Sequence, residues 1–470
     1  MIHLIPTEAK RFRTFGWVQD PSDFRSLCDV VAIFDETSLK HQELAGQVIP
    51  ALVEERDGRQ RLLDALNQRP LRISYTDLVG TSFTPRSAAR CNGIVQAAVR
   101  GQVRPFIGDW PADNFVRWAH ALGFLRYGYQ GDAFELTEAG KALAQARTQG
   151  EELNSQEKEL LTSAVLAYPP AVRILSLLGE GEGAHLTKFE LGKQLGFVGE
   201  DGFTSLPQTV LVRSLASSKD AKEKNKMKTD WDGSSDKYAR MIAKWLEKLG
   251  LVKQEAKPVT VTLAGRKYTE SIGQSYVITG LGITALNRTL GKSRHKRIPK
   301  NVSFEMMATK GDDREYLRTR RTCVLKAVSE GKGRVSYTEI QKYLEALGLQ
   351  EDEATIRDDV QGLIHIGLNI AAGERECVWK DEINDLILPV PKKLAKSSQS
   401  ETKEKLREKL RNLPHEYLSL VDLAYDSKQN RLFEMKVIEL LTEECGFQGL
   451  HLGGSRRPEG VRYTAGLTEH

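Results

Sequence analysis

The chain has 470 residues, 40% hydrophobic and 28% charged, with a formal net charge of +5. These values exclude a disordered or fibrous polypeptide, and the length exceeds one ordinary core, so roughly three or four modules are expected. There is no apolar run of about 18 residues, and the opening "MIHLIPTEAKRFRTF" has no long apolar stretch; a cytoplasmic protein without an anchor is expected.

In chain order, the first recurring signal is "SYTDL" (Ser74–Leu78), repeated as "TKFEL" (Thr187–Leu191) and "SYTEI" (Ser336–Ile340). Each sets Ser or Thr three residues before Asp or Glu, the capping-box spacing that opens a helix; the device is weaker where the acid is Asp77. Each opening is followed by a second helix closing on an apolar-Gly-apolar phrase, at Gly123, Gly250 and Gly367, where glycine suits a left-handed cap. Strand-like phrases come next: "FELTEAGKAL" around Gly140, "VTVTLAGRKY" around Gly265, and "ECVWK" (Glu376–Lys380). Helix, turn, second helix and hairpin is the plan of a winged helix, and three irregularly spaced copies predict three such subdomains.

The second copy carries most information. In "GSSDKYARMIAKWLEKLG", Tyr238, Met241, Ile242, Trp245, Leu246 and Leu249 recur at helical steps and form one apolar stripe. Lys237, Arg240, Lys244 and Lys248 fall on another face, and Ser234 or Ser235 is the expected N-cap. A helix with one buried and one basic face suits a major groove, its first turn at base edges and its later lysines near phosphates. Beyond it, "LPVPKKLAKSSQSETKEKLREKL" (Leu388–Leu410) reads as a connector leading into a charged helix near Thr402. "HEYLSLVDLAY" and "NRLFEMKVIELLTEECGF" read as amphipathic helices before "HLGGSRRPEG".

Two compositional features accompany these elements. Cys28, Cys91, Cys323, Cys377 and Cys445 are scattered, without a CxxC pair or zinc spacing, so buried reduced thiols are expected. Three runs are basic, "KDAKEKNKMK" (Lys219–Lys228), "KSRHKRIPK" (Lys292–Lys300) and "RTRR" (Arg318–Arg321), each readable as solvated surface or as a phosphate-facing patch.

"RTFGWVQDP", "YPPAVRILSLL", "HLTKFELGKQLGF", "DGFTSLP", "WDGSSDKYARMI" and "HLGGSRRPEG", in this order from about Arg13 to Thr464, closely resemble the FokI-like Type IIS restriction endonucleases. The resemblance implies three helix-turn-helix recognition subdomains reading GGATG in duplex DNA, and a Mg²⁺-dependent PD-(D/E)xK nuclease domain that cuts outside the site. It also implies a nuclease domain held against the recognition part until DNA is found, and a cognate DNA methyltransferase as genetic partner. Carried over, the DNA-reading candidates are Gln19, Asp20, Arg86 and Trp110 in the first subdomain, and Thr229, Asp232, Lys237 and Arg240 in the second. Asp20 and Thr229 stand where the family has asparagine, and Asp232 where it has glutamate, which bears on the preferred bases. The third subdomain is expected to contact the nuclease domain.

Glu459 matches the first metal-binding carboxylate; after it come one acid, Glu469, and no lysine. The expectation is therefore a mainly α protein with small β-hairpins. Three winged-helix subdomains (1–150, 151–290, 291–386) and a linker (387–401) would precede the mostly helical part of a truncated α/β nuclease domain (402–470). A DNA-binding monomer that cleaves poorly or not at all is the expected activity. The alternatives are an active endonuclease working through Glu459 and Glu469, and a non-catalytic winged-helix regulator.

Overall fold

Three stretches of sequence fold to one plan, and its cause is local: a hydroxyl at each strand-to-helix junction. The computed structural model describes residues 2–6, 15–80, 90–129, 131–148, 150–181, 184–200, 203, 205–234, 236–309, 313–331, 333–390, 396–451 and 460–463. Arg86, Glu459 and the side chain of Asp232 lie outside the described residues.

After strand β1 (Ile2–Pro6) and helix α1 (Phe24–Ala32), the first unit runs β2 (Ile73–Ser74), α2 (Tyr75–Val79), α3 (Asp109–Ala121), β3 (Leu125–Gly128), β4 (Ala133–Leu136) and α4 (Glu138–Ala146). Helix α5 (Pro169–Gly179) leads to the second: β5 (His185–Thr187), α6 (Lys188–Gly192), α7 (Gln208–Ser217), α8 (Ala221–Ser234) and α9 (Lys237–Lys248). It continues through β6 (Val252–Gln254), β7 (Lys257–Leu263), β8 (Arg266–Ile272), β9 (Ser275–Ile278) and α10 (Gly280–Thr289). The third comprises α11 (Arg314–Glu330), β10 (Arg334–Ser336), α12 (Tyr337–Ala346), α13 (Glu353–His365), β11 (Ile370–Ala372) and β12 (Glu376–Trp379), followed by β13 (Leu386–Val390). The last module holds α14 (Ser398–Lys409), α15 (Ser419–Ala424), α16 (Asn430–Glu443) and the pair β14 (Gln448–His451) and β15 (Gly460–Tyr463).

Each unit has a three-stranded antiparallel sheet in which the opening strand pairs with the far strand of a hairpin: β2-β4-β3, β5-β9-β6 and β10-β12-β11. The capping boxes at Thr187/Glu190 and Ser336/Glu339 are complete. Ser74 accepts from the Asp77 N–H, but the shorter acid turns to the Ser74 hydroxyl and to Arg61 instead. Gly123, Gly250 and Gly367 close their helices at φ 78°, 73° and 106°, conformations side chains resist.

The second hairpin differs from the sequence expectation. "VTVTLAGRKY" forms the separate pair β7–β8, inserted between β6 and β9. The counterpart of Thr137–Gly140 is Thr279–Gly282. Thr137 Oγ1 donates to the Gly123 carbonyl at 2.7 Å and caps Gly140, while Thr279 Oγ1 donates to the Gly250 carbonyl at 2.7 Å and caps Gly282. A Cβ on either glycine would strike a carbonyl oxygen, of Phe124 or Leu251. Helix α9 follows Asp236, its flanking N-terminal residue, held left-handed at φ 51°, while Ser234 ends α8 and Ser235, the other expected cap, lies outside the described residues. Helix α14 starts at Ser398 behind a Ser397 cap, earlier than Thr402.

One apolar core runs from Ile2 to Leu388 through all three units. A smaller one joins the second unit to the last module, setting Phe189, Val210, Trp231 and Val261 against Met435 of α16. β1 pairs parallel with β13, from Ile2–Leu386 to Pro6–Val390. The "RTRR" run is not a surface patch: Arg318, Arg320 and Arg321 are buried among partners distant in sequence. Arg320 forks onto Asp359 at 2.7 and 3.0 Å and reaches Glu404 at 3.1 Å, and Arg321 meets Glu200 at 2.7 Å. Burial tends to lower the Arg320 pKa, but Asp359 and Glu351 hold it well above its usual value. Cys28, Cys91, Cys323 and Cys377 are buried free thiols; Cys445 is exposed, against expectation. No single described helix is long and apolar enough to cross a membrane.

Candidate nucleic-acid interface

Gln19 sits where the first two units meet. Its backbone N–H approaches Asn114 Oδ1 of α3 at 3.5 Å, and its side-chain Nε2 donates to the Tyr238 hydroxyl of α9 at 3.0 Å. Asp20 beside it is exposed. Trp110, in the first turn of α3, leaves 51% of its surface in solvent, with the Arg117 guanidinium 5.9 Å from its ring centre. In the first turn of α9, Lys237 is exposed and Arg240 half-buried; Lys244 and Lys248 continue the exposed basic face. Four of the sequence-read residues, Gln19, Trp110, Lys237 and Arg240, are thus gathered by helices α3 and α9.

The apolar stripe of α9 explains its placement. Tyr238, Met241, Ile242, Trp245 and Leu246 are all buried, as their spacing predicts. Trp245 stacks on Trp118 of α3 with ring centroids 5.0 Å apart and planes 21° from parallel. Its indole N–H donates to the Pro21 carbonyl at 2.8 Å. The remaining candidates on the second unit stand on α8. Thr229 is exposed and donates to the Asn225 carbonyl of its own helix at 2.9 Å. The last turn of α8 is held by buried Lys188, whose Nζ donates to the Trp231 carbonyl at 2.7 Å.

Other groups at this seam escape a sequence reading. Asp113, Asn114 and Arg117 are buried on α3, with Arg117 Nη2 donating to Asn114 Oδ1 at 2.9 Å and Tyr75 donating to Asp113 at 2.7 Å. The available signal is weak: three polar residues within an otherwise apolar helix face. Of the basic runs, "KDAKEKNKMK" lies along α8, where Lys228 pairs with Glu270 at 2.7 Å. In "KSRHKRIPK", Arg297 ties down the Leu290 carbonyl and Lys300 is buried beside Asp381, while Lys292, Arg294, His295 and Lys296 are exposed.

Residues 13–146 match subdomain 1 of the FokI recognition domain, 157–294 its subdomain 2, 307–375 the FokI D3 domain and 396–467 the FokI cleavage domain. The chain is 44% identical to Type II restriction enzyme FokI of Planomicrobium okeanokoites, across 97% of this chain and 78% of that enzyme. The chain belongs to the FokI family of restriction endonucleases. Type II restriction enzyme StsI of Streptococcus sanguinis is 34% identical, over 95% of this chain and 75% of its own length. Two solved FokI structures share its fold at 43% identity, covering 97% of this chain and 78% of theirs; the TM-score is 0.87 for one and 0.88 for the other, FokI bound to DNA.

The FokI-like cleavage module docks on the recognition units through charge as well as through the small core. Arg411 forks onto Asp358 of α13 at 3.2 and 3.0 Å, and His415 lies 3.6 Å from the same carboxylate. Lys396 meets Glu351 at 3.0 Å, and the Ser214 hydroxyl of α7 donates to the His451 carbonyl at 3.2 Å. Nucleases of this kind use a divalent metal. Among the described residues no group of three or more His, Cys, Asp or Glu is placed to hold one, and Glu459 lies outside them.

Proposed function

We propose that this chain reads a short asymmetric site in duplex DNA, GGATG or a near relative, through a face built from α3, α8 and α9. Gln19, Asp20, Arg86 and Trp110 contact bases from the first subdomain; Thr229, Asp232, Lys237 and Arg240 do so from the second. The three strand–helix–helix–hairpin units act as winged helices, with the third given over to holding the cleavage module. The observation that carries this reading is the joining of two candidate reading helices: Gln19 bonds to α9, which carries Lys237 and Arg240, and approaches α3, which carries Trp110. The likeness to a DNA-bound FokI supports it. Arginine and lysine donate to guanine O6 and N7, and acids accept from cytosine N4, so Asp20 and Asp232 favour a cytosine-bearing edge.

Cleavage beside the site belongs to the same proposal for the family, with Mg²⁺ as cofactor, Glu459 as a metal-binding carboxylate and a cognate methyltransferase protecting the host. Binding as a monomer belongs to the same proposal. Selection of bound duplexes from a random pool in Ca²⁺, followed by sequencing, tests recognition. Enrichment of GGATG or a related sequence supports it; a pool without a motif refutes it. Conversion of plasmid to nicked or linear form after addition of Mg²⁺ tests the cleavage reading.

A further inference from the structure

The two reading helices are joined by a chain of polar side chains, most of them buried, that passes through Gln19. It starts at Tyr75, the first residue of α2, whose hydroxyl donates to Asp113 at 2.7 Å. Asp113 faces Arg117 at 3.6 Å, and Arg117 donates to Asn114 Oδ1 at 2.9 Å. Asn114 Oδ1 lies 3.5 Å from the Gln19 backbone N–H, and Gln19 Nε2 donates to the Tyr238 hydroxyl at 3.0 Å. Tyr75, Asp113, Asn114, Arg117 and Tyr238 are 2%, 6%, 0%, 4% and 4% exposed, and the two contacts through half-buried Gln19 are partly shielded from water.

Apolar packing alone would hold α3 and α9 together without fixing their register. The Trp118–Trp245 stack supplies attraction, and its offset is set less sharply than a hydrogen bond's geometry. Directional bonds between buried partners do not slide, because displacement leaves a polar group unsatisfied. Successive bases rise by about 3.4 Å, and a hydrogen bond is lost over a much smaller displacement.

We infer that Tyr75, Asp113, Arg117, Asn114 and Tyr238, through Gln19, form a positioning network that sets the spacing between the bases read by the first subdomain and those read by the second. Asn114 and Tyr238 are then specificity-determining residues through the distance they enforce. This rests on the DNA-reading function proposed above.

The test uses the full chain in Ca²⁺. Binding is measured to its selected site and to a panel with one base pair inserted at each internal step. Y238F keeps the ring packed on Trp17 and Phe203 and removes only the hydroxyl; N114A cuts the network at its middle. The parent chain should reject every insertion. Each variant should relax rejection of the insertion at the junction between the two half-sites by roughly fivefold to tenfold, the worth of one neutral hydrogen bond, while other insertions stay rejected. Unchanged rejection, or a parallel loss on the site and all insertions, overturns the network. A parent chain that selects no duplex overturns the DNA-reading function itself, a different failure.

Discussion

Replacing Asp358 by asparagine should loosen the cleavage module from the third unit. The carboxylate accepts both terminal nitrogens of Arg411 at 3.2 and 3.0 Å, with side chains 23% and 28% exposed, so the pair is partly shielded from water. Burial raises the Asp358 pKa, but His415 and Arg411 more than offset it and hold the carboxyl below its ordinary range. An amide keeps the shape and loses the charge, and a charge-assisted bond of this kind contributes about 1.5–3 kcal/mol. The module should therefore detach roughly ten to a hundred times more often. It should still dock on average, because Lys396–Glu351, Arg320–Glu404 and the core around Met435 remain. Hydrogen exchange of amides in α13 and α15 reads the opening directly. Exchange rates equal to those of the parent would refute the reasoning, as would failure of the swapped pair, Asp358→Arg with Arg411→Asp, to restore protection lost in D358N.

Arg240→Ala should cost about 1–3 kcal/mol of discrimination at one base position; equal loss on cognate and random duplexes in a binding assay would make Arg240 a phosphate contact. Affinity should fall steeply with salt as counterions are released, and a flat profile across a salt titration would contradict DNA binding. His365 packs near Arg173 and His415, and burial first, then these two neighbours, push its pKa down to about 3. A depressed histidine stabilises the fold fully above its unfolded value near 6.5 and loses that contribution as pH falls from there toward 3. His365→Gln should accordingly narrow the drop in Tm between pH 7 and pH 5; an unchanged drop would show that another group sets the acid limit.

What the sequence reveals depends on how far apart the partners lie. The boxes at Thr187/Glu190 and Ser336/Glu339 span three residues, so spacing suffices to find them. The buried stripe of α9 is equally legible, since helical period alone selects it. "RTRR" misleads because its neutralising groups, among them Glu200, Asp359 and Glu404, are brought in from separate elements. "VTVTLAGRKY" alternates as a wing strand should, yet the quieter Thr279–Gly282 carries the cap that ends the second hairpin. At the candidate interface, chemistry marks Lys237 and Arg240 on an exposed helix face, whereas the Gln19–Tyr238 bond joins residues 219 apart and has no local signal.

The stacked Trp118 and Trp245 also govern how the protein unfolds. Both indoles are 0% exposed, and each comes from a different recognition subdomain. Linked domains ordinarily meet over modest, fairly polar surfaces and melt separately. Here separation would expose two of the largest side chains in the molecule, together with the Phe24 ring packed on Trp118 and the Tyr168 ring near Trp245. The first two subdomains therefore form one cooperative unit: a calorimetric scan should show them in a single transition, and a fragment ending between them would leave Trp118 without the ring it stacks on.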